Sequence, residues 1–261
     1  MPALVVTGGN LLFERDQLAP EGAEAAKIGA HGVLQATQKM GATFAGIGSR
    51  DLAAGIGFLH QSQKPPAFTW LSANLLDPAT RKPLFPPLLH RRAGGVKIAI
   101  LALTDHTAVP KNSEAFLVAD WRTSLPAALA KVEKEADFVL LLSNYSFSEN
   151  QEIARTHGTI DLILQTGHAV GNMTPTPINK ALLAQTEIRG KYLGVLDIDW
   201  NGHDTWNEGA PSPQGKQGQP PSTYANRFIA LKQSLVSDPE IEVLVKQTQQ
   251  RIDKLQPGQT P

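Results

Sequence analysis

The sequence predicts an α/β fold, and three observations predict it. Short apolar runs alternate with longer amphipathic stretches along the chain, the pattern left by strands joined through crossover helices. The runs at 96–103, 137–142 and 160–164 are almost wholly apolar, as strands buried on both faces must be. Polar or small residues follow each run at once, and in open α/β sheets ligands sit beyond those strand ends.

Each element is then read in order. Residues 4–7 form a short buried strand ending in Gly8-Gly9, and the Ala-rich stretch 21–40 forms a helix with Ile28, Val33, Leu34 and Met40 as its larger apolar residues. Residues 43–47 are strand-like. Ser49 reads as the N-cap of a helix over 50–60, with Asp51 in the first turn, where the helix dipole favours a carboxylate. Strands follow at 68–71 and 96–103, the second central. The helix at 124–135 has Pro126 in its first turn, where proline is tolerated. The strand at 137–142, a helix at 148–156 and the strand at 160–164 complete the repeating pattern. Residues 182–187 and 192–200 read as an antiparallel pair turned at Arg189-Gly190-Lys191. Residues 1–200 thus make one α/β domain. Residues 201–225 are a Gly/Pro-rich loop or linker, since 207–223 offers almost nothing to bury. Residues 226–256 are a C-terminal helical segment, begun by Asp238-Pro239, whose stripe Ile241, Leu244, Val245, Thr248 and Ile252 must pack on the α/β body. Residues 257–261 are a tail.

Composition narrows the function. The chain has 261 residues, no cysteine, and 24 basic against 24 acidic side chains. That excludes disulfides, Cys-ligated metal centres and covalently attached haem, and the neutral balance argues against a nucleic-acid partner. No apolar run approaches the roughly 20 residues of a membrane span. No phosphate-loop motif occurs, and Ser143 and Ser146 have no histidine at triad spacing. The residues after the strands are Asn10, Gly48-Ser49, Asp105-His106, Asn144 and Gly167-His168. Among these strand-end residues, Asp105-His106 could supply a carboxylate and an imidazole together. Trp200 and Trp206 flank His203-Asp204 and read as a packed hairpin end or a stacking surface.

At these same positions the chain resembles the 5'-nucleotidase / UDP-sugar hydrolase branch of the calcineurin-like metallophosphoesterases. The resemblance is carried by Gly-Gly-Asn-Leu-Leu-Phe at 8–13, Gly-Ile-Gly-Ser-Arg-Asp-Leu-Ala-Ala-Gly-Ile-Gly-Phe-Leu at 46–59, Phe-Thr-Trp-Leu-Ser-Ala-Asn-Leu-Leu-Asp at 68–77 with Gly-Gly-Val-Lys-Ile-Ala-Ile at 94–100, Leu-Leu-Ser-Asn at 141–144, Ile-Asp-Leu-Ile-Leu-Gln-Thr-Gly-His at 160–168 and Gly-Lys-Tyr-Leu-Gly-Val-Leu-Asp-Ile at 190–198. It covers about residues 1–200 in order. It implies a layered α/β sandwich, with two central sheets flanked by helices, that lacks the family's usual first strand and therefore has an unpaired sheet edge or gap, to be filled by a further upstream segment or by a protein partner that adds to the edge. It also implies a periplasmic or extracellular setting if an export segment has been removed, and a cytoplasmic one otherwise. A multihaem cytochrome is a partner implied by the same resemblance.

The resemblance implies two divalent metals activating a hydroxide against phosphorus, yet the ligand positions depart from it. The Asp-x-His strand has no counterpart here, the bridging Asp is Asn10, the metal-binding Asn and its neighbouring His align with Ile47 and Gly48, a later His aligns with Asn144, and of Gly-His-x-His only His168 stands, with Val170 in the last place. Two dications about 4 Å apart repel by on the order of 16 kcal/mol at an effective dielectric near 20. Asn10 supplies no charge to offset that. The expectation is a catalytically degenerate phosphoesterase domain serving as a binding, scaffold or assembly module. No cofactor is expected, or at most one weakly held divalent cation at Asn10, Asn144 and His168, with Asp105 and His106 as substitute ligands. The alternatives are an active phosphoesterase on nucleotides or sugar nucleotides, and a single-metal or anion-binding protein using the His168 cleft.

Overall fold

The computed structural model describes residues 2–63, 67–109, 113–132, 135–168, 170–202, 205–209 and 221–255. After a 3-10 turn at Pro20–Gly22, helix α1 spans Ala23–Lys39. Strand β1 is Phe44–Gly46, a 3-10 turn occupies Arg50–Ala54, and α2 is Ile56–Ser62. The single helix expected over 50–60 is broken at Gly55, whose φ of 83° is open to a residue without Cβ. Strands β2 (Thr69–Leu71), β3 (Leu75–Leu76), β4 (Leu88–Ala93), β5 (Val96–Leu103) and β6 (Leu117–Val118) lead to α3 (Trp121–Leu129). Then come β7 (Phe138–Ser143), α4 (Phe147–Thr156), β8 (Leu162–Gln165), β9 (Met173–Ile178), β10 (Ala181–Gln185), β11 (Tyr192–Asp199), β12 (Trp206–Glu208), β13 (Ser222–Ala230) and α5 (Pro239–Asp253).

The central sheet has six strands in the order β4-β5-β7-β8-β10-β9. Its middle, β5-β7-β8-β10, is parallel and holds the buried apolar runs, and β4 and β9 are antiparallel edges. On one face α3 and α4 cover Leu101, Leu103, Val139, Leu141, Ile163 and Leu183. On the other face Ile100, Leu140, Leu142 and Leu182 meet a second layer of strands. That layer holds the parallel pair β1-β2 and a three-stranded sheet in the order β11-β13-β12. Beyond β1-β2, α1 and α2 close a third cluster around Trp70, Phe58 and Leu34, and α5 lies on α1.

Several expectations are corrected. Residues 4–7 make one parallel bridge, Thr7 to Ala45, rather than a strand. Ser49 is not a cap: its hydroxyl donates to Asp16 at 2.8 Å and its backbone is already helical. Helix α3 starts three residues earlier than expected because Asp120 caps it through the Arg122 N–H, which puts Pro126 inside the helix. Ser146 and Asp238 cap α4 and α5 in the same way. β10 and β11 are not a hairpin: β10 pairs with β8 and β9, whereas β11 pairs along its whole length with β13. The stretch read as a linker therefore holds β12 and the start of β13, with 210–220 outside the described residues. The segment read as helical from 226 is strand to Ala230. Of the α5 stripe, Ile241, Leu244, Thr248 and Ile252 are half-buried and Val245 is exposed; on α1 a Cβ on Gly32 would come within 2.6 Å of Thr248 Oγ1, and Lys39 meets Glu240 at 2.5 Å.

Candidate functional site

The site grows from the ends of β5, β7 and β8, where each chain must turn away and leave its last polar residues facing a common cleft. Residues 8–12 run across these ends beside β1. Gly8 O accepts hydrogen bonds from Asn144 Nδ2 at 2.9 Å and from Thr166 Oγ1 at 3.0 Å, so this loop is tied to the ends of both β7 and β8. Asn10 sits in the left-handed region at φ 54° and His168 at φ 51°, conformations uncommon for residues with a Cβ.

The five side chains expected at the site divide into linked groups. Asn10 Nδ2 donates to Asn144 Oδ1 at 3.2 Å, and Asn10 Oδ1 accepts the Arg50 N–H at 3.1 Å. Asn144 Nδ2 shares its two hydrogens among the carbonyls of Gly8, Ile47 and Leu103. His168 Nε2 lies 2.8 Å from Asp105 Oδ2, whose other oxygen accepts the N–H and hydroxyl of Thr107, each at 2.8 Å. Asp105 is buried, whereas the His168 side chain is half exposed. The two groups touch through Gly167: a Cβ there would lie 1.7 Å from Asn144 O. His106 turns away from His168. Its Nδ1 bonds Tyr145 OH at 2.8 Å and its Nε2 stands 3.8 Å from Asp120. Burial pushes the Tyr145 phenol well above its ordinary value, holding it neutral.

The role missed in sequence is that of Asp51. It stands in the first turn of the 3-10 helix, as its position predicts, but it is also fully buried and accepts four backbone N–H groups. Its Oδ2 takes Asn10 at 2.6 Å and Gly48 at 2.9 Å, and its Oδ1 takes Leu11 at 2.8 Å and Leu12 at 2.9 Å. Desolvation pushes its pKa up to about 6, against the lowering effect of those donors. Gly48, expected only as a strand-end residue at the place of the family's histidine, has a steric role as well. A Cβ there would fall 2.3 Å from Asn10 Oδ1 and 2.6 Å from Asn144 Oδ1, so no side chain fits between the two amides. Only the glycine itself signals this in the sequence. Val170 is 90 % exposed and points away from any packed site. Among the described residues, no group of three or more His, Cys, Asp and Glu side chains stands together as a metal site. His203 and Asp204 lie outside the described residues. Their neighbours Trp200 and Trp206 pack edge-on against Phe138, with ring centroids 5.1 and 6.4 Å away.

No family model matches the chain. A Bacillus subtilis (strain 168) protein described as the uncharacterized metallophosphoesterase YunD is 27% identical over 135 residues, which are 50% of this chain and 29% of that relative. Among solved structures, a 5'-nucleotidase precursor from Thermus thermophilus superposes with a TM-score of 0.71 at 16% identity, covering 98% of this chain and 51% of that one. The sulfate thiohydrolase SoxB of Thermus thermophilus gives 0.70 at 21% identity, over 97% and 43%. The calcineurin-like phosphoesterase YfkN from Bacillus subtilis gives 0.70 at 16%, over 97% and 84%. The chain therefore spans less than a third of its curated relative and about half of the two Thermus proteins. Half of it is similar in sequence to a metallophosphoesterase, and nearly all of it takes the layered α/β fold that calcineurin-like phosphoesterases and 5'-nucleotidases share.

Proposed function

We propose that this chain is a phosphoesterase-fold domain that has lost its catalysis and serves as a binding or assembly module. One observation carries the reading: the amides of Asn10 and Asn144 are spent on each other and on backbone groups, where a hydrolytic centre needs free ligand atoms. On this reading the residues do not fit a pair of metal ions. Gly48 leaves no room for a side chain between the amides, and Asp51, the nearest carboxylate, already accepts four N–H groups. Without a bridging anion, two like-charged ions a few ångströms apart repel by over 10 kcal/mol, roughly, at protein dielectric. What the cleft retains is polar shape, with an imidazole oriented by a buried carboxylate and open to solvent on one side.

The test is hydrolysis of nitrophenyl phosphate and of nucleotides with added manganese, cobalt or zinc. Background rates support the reading, and metal-dependent turnover overturns it.

One observation favours a second reading, an active enzyme with substitute ligands. The carboxylate that orients His168 is the arrangement by which a metal-bound imidazole is held. Elemental analysis of protein dialysed against zinc or manganese separates the two. Two equivalents retained would favour the enzyme, and none would favour the module.

A further inference from the structure

One ring nitrogen of His168 is tied to a buried carboxylate and the other is free, and we propose that the free one, Nδ1, accepts a phosphoryl group from an acyl phosphate, with Asp105 as the positioning residue. The proposal rests on the metal-free cleft of the module reading, because a cation on Nδ1 would hold the same lone pair.

The tautomer follows from the partners. His168 Nε2 lies 2.8 Å from Asp105 Oδ2, and Asp105 Oδ1 takes the N–H and the hydroxyl of Thr107, each at 2.8 Å. A carboxylate that accepts on both oxygens has no hydrogen to offer. In the neutral ring the hydrogen therefore sits on Nε2 and the lone pair on Nδ1. Asp105 is 2 % exposed, whereas the His168 side chain is 51 % exposed. Among the described residues no hydrogen-bond partner reaches Nδ1. The nucleophilic nitrogen is thus the one that solvent and small reagents can approach.

The turn that carries the ring is fixed as well. Thr166 N donates to Ser143 O at 2.9 Å, and Thr166 Oγ1 donates to Gly8 O at 3.0 Å. Gly167 lies so close to Asn144 O that a Cβ would come within 1.7 Å of it, and His168 follows at φ 51°. A nucleophile within hydrogen-bond reach of a group that orients it, on a backbone that cannot swing, has its orientation settled before reaction.

The other described histidines lack this combination. His106 has one nitrogen on Tyr145 OH at 2.8 Å and the other 3.8 Å from Asp120. His157 Nε2 is buried. His90 stands 3.5 Å from Glu135, but both side chains are well exposed, so that carboxylate is not held. His60 is exposed and lies flat on Phe85, with ring centroids 4.6 Å apart. His90 and His60 therefore serve as internal references for an imidazole without a fixed partner.

The step balances without a further reactant. The Nδ1 lone pair forms the P–N bond as the bond from phosphorus to the acyl oxygen breaks, and the carboxylate leaves with that electron pair. The Nε2 hydrogen stays on the ring, whose new positive charge faces Asp105 across the existing hydrogen bond. A phosphoryl group suits a half-exposed ring better than an acyl group. Its negative charge repels hydroxide, so the bond persists in alkaline water, and protonation in acid releases it. The modification places about two negative charges in the cleft, and so changes the charge of the ligand that the module can hold.

The test uses the full chain, freed of metal by a chelator and incubated with acetyl phosphate under mildly alkaline conditions, with each histidine peptide read by mass. His168 is expected to gain a phosphoryl group on the order of tenfold faster than His60 or His90, and to lose it on acidification. Asp105→Asn should slow His168 by a similar factor and leave His60 and His90 unchanged. If that variant does not fold, the comparison of the three histidines within the wild type decides alone. Equal labelling of the three, no labelling while free imidazole in the same tube is phosphorylated, or full-rate labelling of a folded Asp105→Asn overturns the proposal. Manganese-dependent phosphatase turnover, measured on a separate portion, would refute the module reading and leave the labelling of metal-free protein standing. Unlabelled metal-free protein would refute the proposal and leave the module reading intact.

Discussion

The carboxylate of Asp51 accepts the N–H of Asn10 at 2.6 Å across 41 residues of chain, and with Leu11, Leu12 and Gly48 it fixes the cleft loop to the turn after β1. A buried carboxylate encircled by backbone donors is a local structural centre: it satisfies four N–H groups, those of Leu12 and Gly48 being buried.

Asp51→Ala is expected to lower stability by about 3 kcal/mol or more, since it orphans those donors. The loss depends on pH. The folded pKa of about 6 lies above the ordinary 3.8, so the fold favours the protonated acid. That contribution, about 3 kcal/mol from the shift, is full below pH 3.8 and is lost as pH rises through 6. Urea melts of both proteins from pH 4 to pH 7 check this: the gap between wild type and variant should be widest at pH 4. A gap that widens toward neutrality would mean that the four donors outweigh burial.

His157 gives the opposite sign. It follows α4 with its Nε2 buried and without a hydrogen-bond partner among the described residues, edge-on to Trp121 at 5.8 Å. Burial lowers its pKa below 6.5, so the fold favours the neutral ring. The stability it contributes is present above pH 6.5 and is lost as pH falls through the depressed value. His157→Phe should therefore lose less stability than wild type between pH 7 and pH 5 in thermal melts. An unchanged slope would show that the imidazole is hydrated in solution.

The fold is legible where burial dictates residue type on its own. β5 and β7 are long apolar runs, and no alternative structure suits them. β4 and β9 are not legible. As edge strands they carry Arg91, Arg92, Pro175 and Pro177, residues that read locally as loop. The false hairpin of β10 and β11 has the same origin: nearness in sequence and a Gly190 turn imitate a pairing that β13, about thirty residues later, wins with eight registered partners. At the site, the strand-end rule points to Asp105, Asn144 and His168, and the structure joins them with Asn10 in two pairs, Asn10–Asn144 and Asp105–His168. It does not show that Asp105 takes His168 rather than acting beside His106, since side-chain partners depend on distances of under an ångström. Asp51 does stand in the first turn of the 3-10 helix, as its position predicts, but its clamping of residues 10–12 is not legible. Helix-start chemistry and loop clamping both need a carboxylate accepting N–H groups, and sequence does not say whose.

The α1–α5 contact offers a test by complementation. Any Cβ at Gly32 meets Thr248 at 2.6 to 3.1 Å, and Thr248 Oγ1 is bonded to Leu244 O, which restricts its escape. Gly32→Ala is expected to loosen α5, raising amide exchange over Pro239–Asp253 while the six-stranded sheet keeps its protection. Thr248→Ala should be mild alone and should restore α5 protection in the double variant, a coupling of about 1 kcal/mol. Additive losses would mean that α5 is held by Lys39–Glu240 and its flanks instead.

Gly48 carries the corresponding test in the cleft. The obstacle to any side chain there is two amide oxygens at 2.3 and 2.6 Å. Asn10 is half-buried and has room to move, whereas Asn144 is buried and bonded to three carbonyls. Gly48→Ala is expected to cost about 2 kcal/mol or more through that overlap. Asn10→Ala in the same chain should recover only part of the loss, because Asn144 stays in the way. Gly48→His, which puts an imidazole where the metallophosphoesterase pattern has one, should be less stable than Gly48→Ala and should retain no manganese after dialysis. A folded Gly48→His that holds metal would show that the two amides yield readily, and would reopen the cleft to phosphoester chemistry.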